Sequence, residues 1–461
     1  MRNPELNRAT STMNKPDSKA GRDPLLKQQF LQDCLAGASA RATGLPGKPL
    51  SESDWTAVVD LAARHGVLPL LYERLTTGAG PPAVPERVLQ RLRDGFLMNG
   101  AKNALLFKDL AQVLRALEQA NIPVIVLKGA HLAASVHSHS AVRTMNDIDL
   151  LVGRNDLEQA VSRLGDLGYF AKTRVTDIAT WCETTRHWPR LFRPPPAPGI
   201  EIHWALTLPS EFSNIDPAGF WERSRPTTIA GVGARILSPE DLLLHLCLHT
   251  ASDGSGPFRL GLRPLCDIAA VVHCWREEIN WPELQSRAVQ WQADRCVYLA
   301  LWLAKELLAA AIPDSVLQAI RPPDFDDRWA ALAVNQVVLA GAERSSPQAE
   351  SELALLRWLI AWWGSESGRG KVGRLLKMLF PARDYMVLWA DCHGVPLGSA
   401  RNSACYLTRA RDLLRRGTRV AWYWATQRRE VVADVRQSRQ QTRLGNWMIG
   451  ANCGRRRAGR E

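Results

Sequence analysis

The sequence predicts an α+β protein in which a compact α/β unit lies between two helical regions. Three observations support this prediction. Apolar residues recur at helical spacing from about residue 24 to residue 120, strand-like patterns begin after Asn121, and helical spacing returns from Ser238. We therefore expect the following regions: a disordered N-terminus at 1–22, helices over 23–120, the α/β unit over 121–208, helices over 209–434, and a flexible basic tail at 435–461.

The N-terminal helical region is predicted from segments such as DWTAVVDLAARHGVLPLLYERL, in which apolar residues lie three or four positions apart. Ser51 and Ser53 precede this segment, and both are candidates for its N-cap. A second pattern from Ala83 to Ala120 predicts one or two further helices. Packing is the only role that we assign to this region.

The α/β unit is predicted from a run of alternating element types. IPVIVLKG predicts a strand, a helix-compatible segment extends from Ala130 to about Ser138, and NDIDLLVG predicts a second strand. An amphipathic segment that ends at Gly168 predicts a helix, and YFAKTRV and IEIHWAL predict two further strands. From Ser238 to the end of the next region the patterns are helical, and residues 352–434 add many Trp.

Two aspartates stand on one side of the second strand. Asp147 and Asp149 are two positions apart, so their side chains share a face, and neighbouring carboxylates repel each other. A divalent cation such as Mg²⁺ or Mn²⁺ would remove that repulsion. The alternative is a strand-end pair that caps a turn or pairs with Arg143 and Arg154.

A third acid, Glu201, alternates with Ile200 and Ile202 in IEIHWAL and therefore points away from them. On a neighbouring strand it would complete a two-metal site of the kind that clamps the attacking and leaving oxygens of a phosphoryl displacement. A structural salt bridge is the alternative for Glu201. The pattern predicts metal-ligand or catalytic roles for all three acids.

The first strand ends in Lys128 and Gly129. A glycine here would let backbone N–H groups approach a triphosphate, and Lys128 and Arg143 would offset its charge. We therefore name Lys128, Gly129 and Arg143 as candidate nucleotide-binding residues. A structural role for Lys128 and a pairing of Arg143 with Asp147 stay open.

These motifs resemble the uncharacterised nucleotidyltransferase family of bacteria, within the superfamily that has a polymerase-β-like palm. The resemblance extends over roughly residues 24–420. It rests on these segments: LKGAHLA, RTMNDIDLLV, LGDLGY, RHWPRL, IEIHWAL, LSPEDLLLHLCLHTA, LRPLCDIA, INWPELQSRA and LFPARDYM.

The resemblance implies a nucleotidyltransferase palm at 121–208 with Asp147 and Asp149 as metal ligands. It implies that Glu201 is a third ligand or the base towards an acceptor hydroxyl. Gly129 falls on the phosphate-loop glycine of the superfamily. Many members have Ser after this glycine, whereas this chain has Ala130, so a phosphate contact must come from the backbone or from Lys128.

Several histidines are candidates for lesser roles. His203 shares a strand face with Glu201, and His187 lies in RHWPRL, so both are possible substrate or supporting residues, with plain packing as the alternative for His203. We expect the group of His131, His137 and His139 to be a solvated helix end. We expect His245 and His249, four residues apart, to pack in a helix; a zinc pair is the alternative.

The basic charge is concentrated at one end. The chain carries a net charge of +12, and residues 409–461 contain 14 Arg and 4 acidic residues, which leaves about +2 for the rest. Contact of this tail with nucleic acid or an anionic membrane is a minority expectation. Nine scattered Cys, no apolar leader and no long apolar run predict a cytoplasmic protein without a transmembrane segment.

The sequence therefore predicts an Mg²⁺- or Mn²⁺-dependent enzyme that transfers a nucleoside monophosphate from an NTP to a hydroxyl acceptor that the sequence does not identify. Two alternatives stay open. One is a non-catalytic nucleotide-binding scaffold or sensor of the same fold, which Ala130 weakly favours. The other is a nucleic-acid-binding adaptor that uses the Arg-rich tail.

Overall fold

The computed structural model describes 24–36, 50–77, 84–208 with short gaps at 174, 176 and 195–196, 215–252, 257–340, and a few later stretches, mainly 406–415 and 439–448. The described residues fall into two compact units. The first contains the described parts of 1–170 and 182–342, and the second those of 171–181 and 343–450. The residues of the candidate site all lie in the first unit.

In the N-terminal region the described residues form four helices, as the sequence predicts: α1 (Pro24–Ala36), α2 (Glu52–Arg64), α3 (Leu68–Thr77) and α4 (Glu86–Gln119). Ser51 caps α2, because its hydroxyl accepts a hydrogen bond from the backbone N–H of Asp54 and its own N–H donates to the Asp54 carboxylate. Ser53 lies inside the helix. The prediction for Ser51 is confirmed, and the one for Ser53 is wrong.

A seven-stranded mixed sheet follows. Its strands are β1 (Ile125–Val126), β2 (Asp147–Leu151), β3 (Phe170–Ala171), β4 (Leu191–Phe192), β5 (Gly199–His203), β6 (Arg225–Ile229) and β7 (Val232–Ile236). Their order in the sheet is β3-β4-β5-β2-β1-β7-β6. At its centre β2 runs parallel to β5 and antiparallel to β1, and β1 runs parallel to β7.

The hairpin β6–β7 lies beyond the predicted end of the α/β unit at residue 208. Because β7 pairs with β1, the sheet extends to Ile236, and the expectation that 209–434 is wholly helical is wrong for this part. The turn residues Ala230 and Gly231 have positive φ angles of 52° and 76°. They close a two-residue hairpin loop, and such loops favour left-handed conformations.

In the described residues three α-helices lie between β1 and β5: α5 (Lys128–Ser135), α6 (Leu157–Asp166) and α7 (Ile178–Thr184). Helix α6 ends as predicted, since Gly168 follows it with a φ of 84°. Helix α5 begins two residues earlier than Ala130, the predicted start. Lys128 and Gly129 therefore belong to its first turn and not to a preceding loop.

The helices from residue 217 onwards are α8 (Pro217–Arg223), α9 (Pro239–Ser252), α10 (Arg263–Cys274), α11 (Trp281–Gln290), α12 (Asp294–Leu308), α13 (Asp314–Ala319) and α14 (Asp327–Ala340). Helices α9, α10 and α12 pack against one another. Leu243, Leu265 and Leu299 from these three helices are fully buried in the core between them.

Helix α4 holds the segment that leads into β2. The side-chain amides of Asn99 and Asn103 both donate to the carbonyl oxygen of Arg143, at 3.1 and 2.8 Å. Asn99 also donates to Ala141 O at 2.7 Å, and Asn103 to Ser140 O at 2.6 Å. Both asparagines are buried, so these bonds satisfy backbone carbonyls that have no partner strand.

The later regions are described only in part. Most of the Trp-rich segment 352–434 lies outside the described residues, except mainly for a helix at 406–415. Residues 439–448 are helical with Leu444 fully buried, so the expectation of a flexible tail is wrong there. The rest of 435–461, apart from residue 437, and the predicted disordered segment 1–22 lie outside the described residues. Across the described parts of the chain, none of the helices combines the length and apolarity needed to cross a bilayer.

Candidate metal and nucleotide site

The two central parallel strands bring the predicted acids together. Asp149 on β2 lies opposite Glu201 on β5, Asp147 lies opposite Gly199, and His203 lies two pairs beyond Glu201, opposite Leu151. Because side chains alternate along a strand, these three acids and His203 point to the same face of the sheet.

The apolar residues on the opposite face of the sheet explain why the acids lie on this face. Ile148 and Leu150 on β2 and Ile200 and Ile202 on β5 are all fully buried. Their burial fixes the register of both strands, because a shift by one residue would place the acids in the core and the isoleucines on the polar face.

Asp149 is the buried acid of the group, with 5% of its surface exposed. Its Oδ1 lies 3.0 Å from His203 Nε2 and 3.4 Å from Lys128 Nζ. Burial alone would raise the pKa of Asp149. The charge of Lys128 and the hydrogen bond with His203 outweigh burial, so the pKa lies well below its usual range and the carboxylate is ionised.

Asp147 is more open, with 35% of its side chain exposed. Its Oδ2 lies 3.3 Å from Nη2 of Arg190. Burial and the neighbouring charge of Asp149 raise the pKa of Asp147, and Arg190 only partly offsets them. The structure therefore gives Asp147 a different basic partner from Arg143 and Arg154, which the alternative interpretation proposed.

Glu201 and His203 complete the cluster. Glu201 Oε2 lies 3.6 Å from His203 Nε2, and the Glu201 side chain is 20% exposed. Burial alone would raise the pKa of Glu201; the interaction with His203 outweighs it, and the pKa is lowered. One ligand atom from each of Asp149, Glu201 and His203 lies within 4.8 Å of the others, the sole such group of three or more among the described residues.

His187 lies behind His203, with their ring centroids 5.1 Å apart. Its Nδ1 lies 2.8 Å from the carbonyl oxygen of Trp188. A carbonyl can only accept, so Nδ1 carries the hydrogen. Burial lowers the pKa of His187, which keeps the ring neutral near pH 7. The structure thus places His187 beside the cluster, where it supports His203.

The first turn of α5 forms one side of the site. Lys128 has a left-handed φ of 36°, and its ammonium reaches Asp149. A Cβ at Gly129 would lie 2.8 Å from Arg143 Nη1 and 3.3 Å from Met145 Cγ. Glycine is needed here because the Arg143 guanidinium crosses the helix at this residue. Ala130 is fully buried.

Arg143 corrects one prediction. Its guanidinium forms a two-pronged ion pair with Asp267 on α10, with both nitrogen–oxygen distances at 2.8 Å, and it is 9% exposed. Burial would raise the pKa of Asp267, and Arg143 together with His137 lowers it to about 2. Asp267, and not Asp147, is the acidic partner of Arg143. A role in nucleotide binding would require Arg143 to leave this buried pair.

The histidines of α5 and the following segment also differ from expectation. His131 is fully buried beside Trp275, with ring centroids 5.7 Å apart, and burial lowers its pKa to about 3. His137 Nε2 lies 3.7 Å from Asp267. Only His139 is exposed. A solvated helix end is therefore the wrong interpretation for His131 and His137, because α10 covers them.

His245 is 1% exposed on α9, so its expected packed position is confirmed. Its ring stacks on that of His249 at 6.3 Å. Burial first, and then the charge of Lys128, lowers the pKa of His245 well below its usual range, so α9 presents a neutral imidazole towards the site. The ligand group in the described residues does not include this pair, which argues against a zinc site.

Three further residues at the open end were missed from the sequence. Asn146 and Arg190 contact each other beside Asp147, and Lys102 reaches Asn146 from α4. Arg190 lies in RHWPRL, so that motif carried a signal for it. Lys102 lies in a helical pattern that predicts only packing, and nothing in that pattern distinguishes it.

The donor set fits a divalent metal ion. Asp149, Glu201 and His203 each bring one ligand atom within 4.8 Å of the others, and Asp147 lies beside Asp149 on the same strand face with a raised pKa. Oxygen ligands suit Mg²⁺, and Mn²⁺ also accepts the imidazole nitrogen. A bound cation would relieve the repulsion among the acids.

A mixed sheet flanked by helices, with acids on two adjacent parallel strands, is consistent with a nucleotidyltransferase domain. The model of the family described as "Uncharacterised nucleotidyltransferase" matches residues 51–309, more than half of the chain, and the chain belongs to this family. The match is narrower than the expected 24–420, and a bacterial source stays a prediction. No curated protein and no solved structure matches the chain.

Proposed function

We propose that this protein is a metal-dependent enzyme that transfers a nucleoside monophosphate from an NTP to a hydroxyl acceptor. In this reaction a bond forms between the acceptor oxygen and the α-phosphorus, the bond from the α-phosphorus to the β-phosphate oxygen breaks, and pyrophosphate leaves. The observation that carries the proposal is the convergence of Asp147, Asp149 and Glu201 from β2 and β5 in a chain of this family.

Asp147, Asp149 and Glu201 would hold Mg²⁺ or Mn²⁺, with His203 as a further nitrogen donor or as the group that orients Asp149. When bound, the metal supplies positive charge against the phosphate oxygens and aligns them for displacement. Asp149 is kept ionised by Lys128 and His203. The partly exposed Asp147 and Glu201 are open to substrate from the solvent side.

Glu201 is the group that we assign to the acceptor's proton. Its Oε2 lies 3.6 Å from His203 Nε2, and its side chain is 20% exposed. The proton of the acceptor hydroxyl would pass to the carboxylate as the new phosphorus–oxygen bond forms. His187 and His203 would keep Glu201 in position for this step.

The first turn of α5 would approach the phosphates through backbone N–H groups near Gly129. Lys128 would divide its charge between Asp149 and a phosphate oxygen, since it lies 3.4 Å from the acid. Ala130 offers no hydroxyl, so this turn relies on the backbone. Arg143 is not among the proposed nucleotide contacts, because its guanidinium is engaged in the buried ion pair with Asp267.

The test is calorimetric titration of each of the four NTPs in the presence of Mg²⁺ and then Mn²⁺. We compare the wild type with Asp147→Asn and with Asp147→Asn/Asp149→Asn; Asp166→Asn, an exposed acid on α6, is the matched control. We expect metal-dependent binding that both site variants weaken by at least about tenfold, because they remove charged ligands. Pyrophosphate release in the presence of candidate acceptors then follows.

One observation favours a second candidate, a non-catalytic nucleotide-binding scaffold. Asp149 already has two internal partners, Lys128 and His203, and Ala130 replaces the serine common in the superfamily. A scaffold would bind NTP equally well with and without metal, and Asp147→Asn would leave its affinity unchanged. That result would favour the scaffold over the enzyme as the function of this protein.

The cellular location of the protein and its contacts with other molecules stay predictions. None of the six cysteines in the described residues forms a disulfide, which fits the predicted reducing cytoplasm. The expected contact of the Arg-rich tail with nucleic acid or anionic lipid falls mostly on residues outside those that the structure describes. The acceptor and the base preference are left to the substrate screen.

A further inference from the structure

The open end of the site carries a cluster of cations that the catalytic acids do not explain. Lys102 comes from α4, Arg190 from the segment before β4, and Arg263 from the start of α10. Lys102 and Arg190 meet at Asn146, the exposed residue immediately before Asp147, and the charge of Arg263 acts on Lys102. Two elements distant in sequence thus bring positive charge to Asn146.

Lys102 has an uncharged hydrogen-bond partner. Its Nζ donates to Asn146 Oδ1 at 2.6 Å, and this bond is exposed to solvent. Burial lowers the pKa of Lys102; the charge of Asp147 raises it, and the charge of Arg263 lowers it further. Two like charges are therefore held near each other, which costs free energy unless an anion joins them.

Arg190 links this cluster to the metal ligands. Its Nη2 donates to the carbonyl oxygen of Asn146 at 3.1 Å and lies 3.3 Å from Asp147 Oδ2. Both described contacts use the same nitrogen, and the side chain is 35% exposed. The guanidinium lies against Gly199, where a Cβ would be 2.0 Å from Nε, so its position depends on a glycine.

A bound anion could replace the present contacts of Lys102 and Arg190. The ion pair between Arg190 and Asp147 is partly exposed, with each side chain 35% exposed, and such pairs add little to stability, so a phosphate can take the place of Asp147 at Arg190. Arginine offers planar, two-pronged recognition of phosphate, and lysine offers a flexible point charge. Both lie beside Asp147, where a metal-bound nucleotide would present its charged tail.

We propose that Lys102 and Arg190 form a binding site for the polyphosphate tail of the substrate, with Asn146 as the bridge that holds them in place. The proposal rests on the proposed function for its substrate, because a nucleoside triphosphate is the polyphosphate that this site would meet. It replaces Arg143 as the arginine that offsets the triphosphate charge. It also defines the direction of the tail, from the acids on β2 towards α4.

The test uses inorganic tripolyphosphate as the probe, without metal, measured by calorimetry at about 0.15 M salt, where charges more than about 8 Å apart are largely screened. We compare the wild type with Lys102→Met and Arg190→Gln. Each variant is expected to weaken tripolyphosphate affinity by about tenfold, because each removes one charge-assisted contact. Lys102→Arg is expected to retain most of the affinity, since it keeps the charge.

Matched controls remove the same charge elsewhere. Lys108→Met alters an exposed lysine on the same helix, and Arg163→Gln alters an exposed arginine on α6. Both should leave the affinity within about twofold, because a general effect of net charge is screened over such distances. Gly199→Ala tests the position of Arg190 without removing its charge, and it should weaken binding as Arg190→Gln does.

The outcomes separate this inference from the proposed function. If NTP binding requires metal and Asp147, but Lys102→Met and Arg190→Gln leave tripolyphosphate and NTP affinities within about twofold, the polyphosphate site is overturned and the enzyme proposal stands. If NTP binding is independent of Asp147 but tripolyphosphate binding falls in both variants, the anion site stands without the enzyme. Asp147→Asn/Asp149→Asn should keep or strengthen metal-free tripolyphosphate binding, and a loss there would also contradict the site.

Discussion

Arg143 and Asp147 lie four residues apart in sequence but belong to two charged regions that differ in how their charges are matched. Arg143 and Asp267 form a closed pair, in which two nitrogens meet two oxygens at 2.8 Å and hardly any surface is exposed. The acids Asp147, Asp149 and Glu201 form an open cluster, in which three carboxylates share Lys128 and Arg190 and two of them face solvent.

The difference teaches which charges to consider for function. A buried pair with matched geometry has no unused interaction to offer a ligand, so its role is to fix α10 against the segment before β2. A cluster with an excess of one sign and partial exposure attracts a counter-ion. The raised pKa of Asp147 and the lowered pKa of Asp267 express the same difference.

The largest expected change in stability comes from breaking the closed pair of Arg143 and Asp267. Asp267→Asn should lower the free energy of unfolding by about 3–5 kcal/mol, because it leaves the buried charge of Arg143 uncompensated. Urea denaturation measures it. The double variant Arg143→Met/Asp267→Leu should recover much of the loss. A loss below about 1 kcal/mol for Asp267→Asn would show that the pair is not matched as described.

The pH dependence sharpens the same contrast. The pKa of Asp267 is lowered to about 2 in the folded protein, so the unfolded chain binds its proton first as the pH falls. The contribution of the pair is full above about pH 5 and is lost as the pH falls towards 2, roughly 2–2.5 kcal/mol in all for a pKa lowered from 3.8 to about 2. The stability difference between wild type and Asp267→Asn should therefore shrink between pH 5 and pH 3. A difference that grows over this range would have the wrong sign.

A smaller loss of stability is expected when a side chain is added next to the closed pair, at Gly129. Gly129→Ala would place a Cβ 2.8 Å from Arg143 Nη1, and the guanidinium is held too tightly by Asp267 to move freely. We expect a loss of about 1–3 kcal/mol in the free energy of unfolding, typical of an overpacked site. Gly165→Ala is the matched control, since a Cβ there meets nothing within 4 Å. Equal stability of the two variants would contradict the crossing of Arg143 over α5.

The smallest expected change in stability concerns the open cluster. Asp147→Asn removes a carboxylate whose pKa is raised by burial and by Asp149, so the ionised form is disfavoured in the folded protein. Its thermal midpoint should stay equal or rise slightly, an effect of about 1 kcal/mol or less, while metal-dependent NTP affinity is lost. A clear fall in the midpoint would mean that Asp147 is structural, as Asp267 is.

The sequence predicted those parts of the structure that depend on neighbours along the chain. Alternation in DIDLL and IEIH fixed two central strands and the shared face of the acids, and Ser51 marked the start of a helix. Pattern alone could not supply contacts between distant residues. Arg143 meets a partner 124 positions away, and His131 is buried by Trp275 of the segment after α10.

The missed hairpin β6–β7 has a different cause. RPTTIAGVGARI alternates only weakly, and its strands have several exposed residues, so periodicity gave little signal. Lys102 and Arg190 were missed because their significance is spatial: they become a pair only when α4 and the segment before β4 meet at Asn146. Sequence patterns show which residues can do chemistry, and packing decides which of them meet.

The hydrogen bonds from Asn99 and Asn103 bear on how this protein can be divided. They hold the carbonyl groups of the segment before β2 from a helix that lies outside the strands, and Asp267 holds the same segment from the other side. The part that looks like a catalytic domain is therefore not an independent folding unit. A fragment limited to residues 121–208 would lose both sets of contacts, so the shortest fragment expected to fold with an intact site includes α4 and α10. Any shuffling of this domain into another protein, in evolution or in the laboratory, would have to carry those two helices with it.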